Sequence, residues 1–283
     1  MPIYDLGYRH WEGAVQSRAR RWLIITRRGV GLLVRNRRFT VLLLLSLVPF
    51  LVRGVMIYAY FFSESLNIRV PFLKLDGSFY YGFLRMQAFP IFIMLLYAGS
   101  GLIANDLRYN ALQIYFSKPI TRFDYILGKF GIIAFFGLLV TLVPGLILFI
   151  LHVSFANSMQ VFTENLWLLG SIVTFSVLLC AVSGLLILAL SALSRSSRFV
   201  GLTCFAAFFF SEALYGILKA ITRDSHTGLV SLQTNLFRAG EYLFEVPSRF
   251  NIEPWESFGV LIGLMLLSIG VLFWRIRPVE VVK

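Results

Sequence analysis

Six apolar runs occupy most of this chain of 283 residues, and each is near or above the length at which a helix crosses a bilayer. An α-helix needs about 20 residues to cross about 30 Å of hydrocarbon. The runs cover residues 39–62, 86–104, 125–151, 166–193, 199–221 and 258–274. The sequence therefore predicts an all-α membrane protein with six transmembrane helices.

The composition excludes a soluble protein of this size. Hydrophobic residues make up 58% of the chain and charged residues only 14%, whereas soluble domains are about one quarter charged. The net charge of +12 comes from basic residues that concentrate before and between the apolar runs. That distribution is typical of topology signals and of contact with anionic lipids, and it argues against nucleic acid as a partner.

The lysines and arginines of the connecting segments indicate the orientation. Eighteen of them lie on the side of the N-terminus, and six lie in the segments on the other side. The positive-inside rule then places both termini in the cytoplasm of a multi-pass protein of a bacterial inner membrane. We divide the chain into a basic arm (1–38), a membrane domain (39–275) and a short tail (276–283), with outer segments at 63–85 and 222–257. An apolar stripe in the second outer segment predicts a short helix that rests on the outer membrane face or re-enters it.

The basic arm contains an amphipathic pattern. Trp22, Ile25 and Leu33 share one helical face with Gly29 and Leu32, while arginines cover the other face. We expect an interfacial helix in the inner headgroup layer, with its apolar side toward the acyl chains. The alternative is a solvated basic tail.

The search for catalytic and metal-binding motifs finds none. Cys180 and Cys204 both lie in apolar runs, which predicts packed core residues rather than ligands. The pair Gly128-Lys129 resembles the end of a phosphate loop, but the glycine that such a loop has five positions earlier is missing. We therefore expect no metal, no cofactor and no ATP site in this chain. Arg53 and Glu212 are ionisable residues inside spans; each is a functional candidate, or else faces a helix interface or reaches toward a headgroup.

The segment that follows the second run, residues 101–129, is the most informative. We expect a short helix over 106–116 that begins with Asp106 and ends before Pro119, because proline cannot donate to the preceding turn. One face of this helix holds Leu107, Ala111, Ile114 and Tyr115. Arg122 marks the return to the membrane, and Lys129 lies at the start of the third span. A short, partly apolar helix presented to the cytoplasm suits docking into a groove of another protein.

This segment resembles the permease subunits of type-2 ABC exporters. The resemblance lies in an acidic residue after the second span, a short helix, the Pro119-Ile-Thr-Arg122 stretch and then Gly128-Lys129. The 191–198 loop, the six spans and the basic amphipathic helix extend it over most of the chain. The pattern departs from many members of that family at Asn110-Ala111 and Gln113.

The resemblance implies a partner-dependent transporter. Two permease chains, identical or related, would form the pathway, and two separate ATPase subunits would hold ATP and magnesium. The segment 106–122 would then be the coupling helix, with membrane lipids around the spans. Two other functions remain open: a polytopic membrane enzyme that acts on lipid-linked substrates, and a non-catalytic membrane scaffold. The enzyme would need a polar cluster at a common depth, whereas the spans offer only Arg53 and Glu212.

Overall fold

A computed structural model of the chain describes residues 20–66, 74–156, 159–222 and 225–277. Within these ranges the protein is helical throughout, and no β-strand occurs. The helices are α1 (Arg21–Val34), α2 (Arg37–Ser46), α3 (Val48–Ser65), α4 (Gly77–Gly99), α5 (Ala104–Arg108), α6 (Ala111–Phe116), α7 (Arg122–Val140), α8 (Leu142–Ala156), α9 (Met159–Glu164), α10 (Leu166–Leu193), α11 (Ser197–Thr222), a 3-10 helix (Ser225–Val230), α12 (Leu232–Leu243) and α13 (Pro254–Arg275). The first part of the predicted arm, 1–19, and most of the tail, 278–283, lie outside the described residues.

Six helical stretches of the described chain are long and apolar enough to cross a membrane. They are span 1 (Arg37–Ser65), span 2 (Gly77–Arg108), span 3 (Arg122–Ala156), span 4 (Leu166–Leu193), span 5 (Ser197–Thr222) and span 6 (Pro254–Arg275). This confirms the six predicted runs, and span 4 has the predicted ends.

Span 2 begins nine residues before the run that predicts it. Its helix starts at Gly77 because the Asp76 carboxylate accepts hydrogen bonds from the backbone N–H groups of Ser78 and Phe79, at 3.0 and 3.3 Å. Such a cap satisfies amides that otherwise have no partner in the helix. The predicted outer segment 63–85 is therefore too long, since residues 77–85 belong to the span. Hydropathy missed them because tyrosine, glycine and Arg85 lower the local average.

Spans 1 and 3 are each broken near a proline. Span 1 breaks at Leu47, two residues before Pro49, and span 3 breaks at Thr141, three residues before Pro144. Proline has no N–H and leaves the carbonyl four residues earlier without its helical donor. By contrast, α4 runs through Pro90 without interruption.

Gln87 of α4 connects the two breaks. Its side-chain Nε2 donates to the carbonyl of Val140 at 3.1 Å and also to the carbonyl of Ser46. Pro144 has no N–H that could donate to the Val140 carbonyl. Gln87 is fully buried. Because an unpaired carbonyl in an apolar interior is costly, this single amide allows both kinked spans to pack against span 2.

Replacing Gln87 with leucine is expected to lower the free energy of unfolding by about 1–3 kcal/mol, since two buried carbonyls would lose their donor. The measurement is the thermal unfolding midpoint of the purified protein in detergent. The control is Met86→Leu at the neighbouring exposed position, which should leave the midpoint unchanged. An unchanged midpoint for Gln87→Leu would mean that the two carbonyls do not depend on this side chain.

The interior of the bundle is formed mainly by spans 2, 3 and 4, whereas spans 1, 5 and 6 leave most of their surface exposed. Helix α12 lies between spans 5 and 6, as the apolar stripe predicts. Its stripe faces the bundle, however, with Leu236, Ala239 and Phe244 buried, and the helix packs on α10 and α13. Helix α12 therefore belongs to the folded core at its end of the molecule and does not insert this face into lipid.

The opposite end of the bundle brings together α1, the connection at 101–121, the turn at 194–196 and the end of α13. The Arg21 guanidinium donates to the carbonyl of Pro119, and the Arg275 Nε donates to the carbonyl of Ala192 at 3.3 Å. We call this the basic end, because the arginines of α1 lie here. The candidate site lies at this end.

Candidate functional site

The connection from the end of α4 to the start of α7, residues 101–121, contains two short helices where the sequence predicts one. The first of them, α5, continues the helical stretch of span 2 up to Arg108. Helix α5 ends at Arg108 and α6 begins at Ala111. Between them, Asn110 has a φ of 53° and a ψ of 27°, in the left-handed region. Asparagine tolerates this conformation better than most residues, and such a residue ends a helix. The expectation of one continuous helix over 106–116 is wrong for this reason.

Ser191 fixes the corner at which α5 begins. Its hydroxyl accepts hydrogen bonds from the backbone N–H groups of Ile103 and Ala104, at 3.2 and 3.0 Å, and donates to the carbonyl of Ser100 at 2.9 Å. Ser191 is fully buried near the end of α10. One hydroxyl thus joins span 4 to the start of the connection. The sequence analysis included Ser191 in the 191–198 loop without assigning it this role.

Four side chains from α5, α6 and α7 form the centre of the site. We call Asp106, Tyr115, Tyr125 and Lys129 the Asp106 cluster. The Lys129 Nζ lies 2.7 Å from the Asp106 Oδ2, and the two side chains are only 8% and 17% exposed. The Tyr125 hydroxyl donates to the same carboxylate oxygen at 2.6 Å. The carboxylate therefore has two partners from the first turns of span 3.

The two tyrosine rings enclose the lysine of the Asp106 cluster. The Lys129 Nζ lies 5.5 and 5.4 Å from the ring centroids of Tyr115 and Tyr125, within the range of cation–π attraction. The rings themselves meet edge to face at 5.1 Å. Burial, and then the Asp106 charge, raise the pKa of the Tyr115 phenol. The phenol therefore stays neutral at physiological pH, and the charges of the cluster balance within the ion pair.

The return to the membrane begins with a capping box. The Thr121 hydroxyl accepts from the Asp124 N–H at 3.1 Å, and the Asp124 carboxylate accepts from the Thr121 N–H at 3.1 Å. The two side chains satisfy two of the amide groups at the start of α7. Pro119 and Arg122 lie just before and just after this cap, and both are exposed.

Helix α1 packs against the first turns of span 3. A Cβ added at Gly128 would lie 2.8 Å from the Ile25 Cβ and 3.0 Å from the Trp22 carbonyl oxygen, so only glycine permits this approach. The Thr26 hydroxyl donates to the Gly128 carbonyl at 2.9 Å. The pair Gly128-Lys129 thus has a physical explanation: the glycine admits α1 and the lysine binds Asp106.

The apolar face of α1 is directed differently from the sequence-based expectation. Ile25 is buried, and Leu33 packs against the core together with Val30. Leu32, which was assigned to the same face, is exposed. The face that was expected to contact acyl chains therefore contacts the protein in part, because small residues on span 3 leave room for it.

The predicted docking face of the connection is divided between the interior and the surface. Leu107 and Tyr115 pack against the core, and Ala111 is half-buried. Ile114 is 66% exposed. Two further residues, which were not predicted from the sequence, are also exposed: Tyr109 at 71% and Phe123 at 59%. Tyr109, Ile114 and Phe123 form what we call the exposed triad.

Arg53 and Glu212, the ionisable residues of the spans, lie apart from the Asp106 cluster. The Arg53 guanidinium lies 4.8 Å from the ring centroid of Phe79. A Cβ added at Gly82 would be 2.6 Å from the Arg53 Nη2, so this glycine makes room for the cation against span 2. Glu212 accepts a hydrogen bond from the hydroxyl of Ser231, the capping residue of α12.

Among the described residues, no three His, Cys, Asp or Glu side chains are grouped so that they could hold a metal ion.

Neither a comparison with models of known protein families nor a comparison with curated proteins finds a match. The fold and the six spans define the chain as a polytopic helical membrane protein.

Proposed function

We propose that this chain is the membrane-spanning permease subunit of an ATP-driven ABC transporter, an exporter, and that it works with separate ATPase subunits. The observation that carries the proposal is the connection between spans 2 and 3. The buried Asp106 cluster holds the connection against span 3. The side chains of the exposed triad are accessible at the surface of the chain. Exposed aromatic and aliphatic side chains on a segment that is held against the bundle suit insertion into a groove of a partner protein.

The proposed coupling uses contacts at both sides of the connection. Closure of the ATPase subunits would move the exposed triad, and the Asp106 ion pair would pass that movement to span 3. ATP can shift the spans only through a difference in how the partner contacts their two states. In the proposed assembly, a second permease chain completes the pathway, and both termini and the connection face the cytoplasm. The resemblance to type-2 ABC exporter permeases and the excess of basic residues at this end support that arrangement.

The test of the proposal is co-expression with the ATPase that we expect to be encoded beside this chain. The two proteins should co-purify in detergent, and the complex should hydrolyse ATP. The purified chain alone should not. Hydrolysis by the chain alone would favour a membrane enzyme, and failure of any neighbouring ATPase to bind would favour a scaffold. Either result would overturn the proposal.

The proposed topology gives a separate prediction. A cysteine in place of Gln113, an exposed residue of α6, should be protected from an impermeant thiol reagent added to intact cells. A cysteine in place of Asn251, an exposed residue before α13, should react. The natural Cys180 and Cys204 are buried and should contribute little signal. Labelling of position 113 from outside would show that the chain has the opposite orientation to the one proposed.

A further inference from the structure

A large cavity opens at the basic end. Its volume is about 1150 Å³, and its walls come from α1, the end of α4, the connection at 101–121, part of α7 and the start of α11. Binding sites for small molecules usually measure about 300–1,000 Å³. The cavity is therefore large enough for a charged headgroup together with part of an attached chain.

The polar part of the wall carries an excess of positive charge. It contains five cations and one carboxylate, and the carboxylate, Asp106, is already paired with one of the cations, Lys129. The four remaining cations are Arg21, Arg28, Lys118 and Arg198. In the part of the chain that the structure describes, no carboxylate lies within 4.0 Å of any of these four. An anion in the cavity would therefore meet four positive charges that have no acidic partner among the described residues.

The rest of the wall is apolar and includes Ile24, Leu32 and Tyr97. All three side chains are exposed within the chain. Ile24 and Leu32 lie on α1 close in sequence to Arg28, so apolar and basic groups alternate along this wall. Amphipathic basic helices with such a pattern lie at membrane surfaces.

We propose that the cavity binds one anionic phospholipid. Its phosphate lies among the four cations, and an acyl chain covers the apolar wall. A free phosphate would satisfy the cations and leave the apolar wall uncovered, whereas a zwitterionic lipid would bring its own cation to an already positive site. Anionic phospholipid matches both parts of the wall. The proposal does not depend on the transporter function.

The bound lipid would join three elements that have separate places in the fold. The four cations come from α1, from the connection and from α11, so one phosphate would hold these elements together. Three members of the Asp106 cluster, Asp106, Tyr115 and Lys129, also line the cavity. A lipid in this position stabilises the connection in addition to the ion pair.

The experiment is native mass spectrometry of the full chain, purified in detergent and titrated with dioleoyl phosphatidylglycerol. The double variant Arg28→Gln/Arg198→Gln removes two lining cations, both exposed. It should bind the lipid about 30-fold more weakly, since each basic residue near an anionic lipid contributes about 1 kcal/mol. Lys118→Gln, a single exposed change, should weaken binding about fivefold.

The chain offers a matched control, Arg27→Gln/Arg195→Gln. Arg27 lies on α1 and Arg195 lies in the turn just before α11; both are exposed and neither lines this cavity. This control therefore has the same net charge as the first double variant and should bind the lipid as the wild type does. An equal loss in both double variants would overturn the proposal, because attraction would then depend on overall charge. Equal binding of dioleoyl phosphatidylcholine would also overturn it. Displacement of the lipid by an equal concentration of glycerol phosphate would assign the cavity to a free anion instead.

Discussion

Replacing Lys129 with methionine is expected to detach residues 104–116 of the connection from span 3. The substitution leaves the Asp106 carboxylate in a largely buried place with the Tyr125 hydroxyl as its remaining partner. Removal of one partner of a buried ion pair costs about 3–5 kcal/mol, and the partial exposure of Asp106 places this case at about 3 kcal/mol. Hydrogen exchange of residues 104–116 should become much faster, and the thermal midpoint should fall.

The double variant Asp106→Asn/Lys129→Met tests whether the charge is the cause. It removes both ions, so much of the lost stability should return. Arg108→Met is the control, because this arginine is exposed in the same connection and does not line the cavity. Wild-type exchange rates in Lys129→Met would show that the connection is held by other contacts. A double variant as unstable as Lys129→Met would show that packing of the lysine stem, and not the charge, is what matters.

The six spans could be predicted because hydropathy sums over about 20 residues and tolerates local errors. The same averaging explains the misplaced start of span 2. A single carboxylate, that of Asp76, decides where α4 begins, and the tyrosines beyond it are buried by neighbouring helices that a window along the sequence does not include. The breaks at Leu47 and Thr141 follow from Pro49 and Pro144, but Pro90 leaves α4 intact. Proline alone therefore did not determine where spans break.

The candidate site could be predicted as a set of positions but not as a set of contacts. Asp106 and Lys129 were both named, yet nothing in the sequence paired them across 23 positions, and Tyr125 was missed. Tyr125 lies four residues before Lys129, so the two share a helical face, and this spacing was the available signal. The left-handed Asn110 could have been suspected, since asparagine often ends a helix. That one conformation turns α6 so that Tyr115 faces inward and Ile114 faces outward.

The ionisable residues of the spans show a similar limit. Arg53 and Glu212 were recognised as costly in hydrocarbon, but their partners come from elements that are distant in sequence. The Arg53 guanidinium lies over the Phe79 ring and next to Gly82, and the Ser231 hydroxyl donates to the Glu212 carboxylate. Each contact lies on the same chain. Nothing in hydropathy or charge distribution alone distinguishes such a contact from one with a partner subunit.

The strongest effect on function is expected from the double variant Tyr109→Asp/Ile114→Asp. Both side chains belong to the exposed triad, so the fold should tolerate the change. In the proposed complex they are buried in the ATPase groove, where loss of two apolar contacts costs about 3 kcal/mol or more. That is about a 100-fold loss of affinity. We expect normal expression and a normal thermal midpoint, with loss of ATPase co-purification and of transport.

Ala111 is a less suitable position for this test. Both Ala111 and Ile114 line the cavity, but Ala111 is half-buried whereas Ile114 is 66% exposed, so a large substitution at Ala111 would disturb the connection itself. The control is Tyr242→Asp, which places one aspartate on an exposed tyrosine of α12 at the other end of the bundle and so reproduces the Tyr109→Asp half of the change. It should co-purify with the ATPase and transport as the wild type does. If the Tyr109→Asp/Ile114→Asp protein also retains the ATPase, the exposed triad is not a docking surface. The proposed function would then lose the observation on which it rests, even though the six-span fold and the Asp106 cluster would stand.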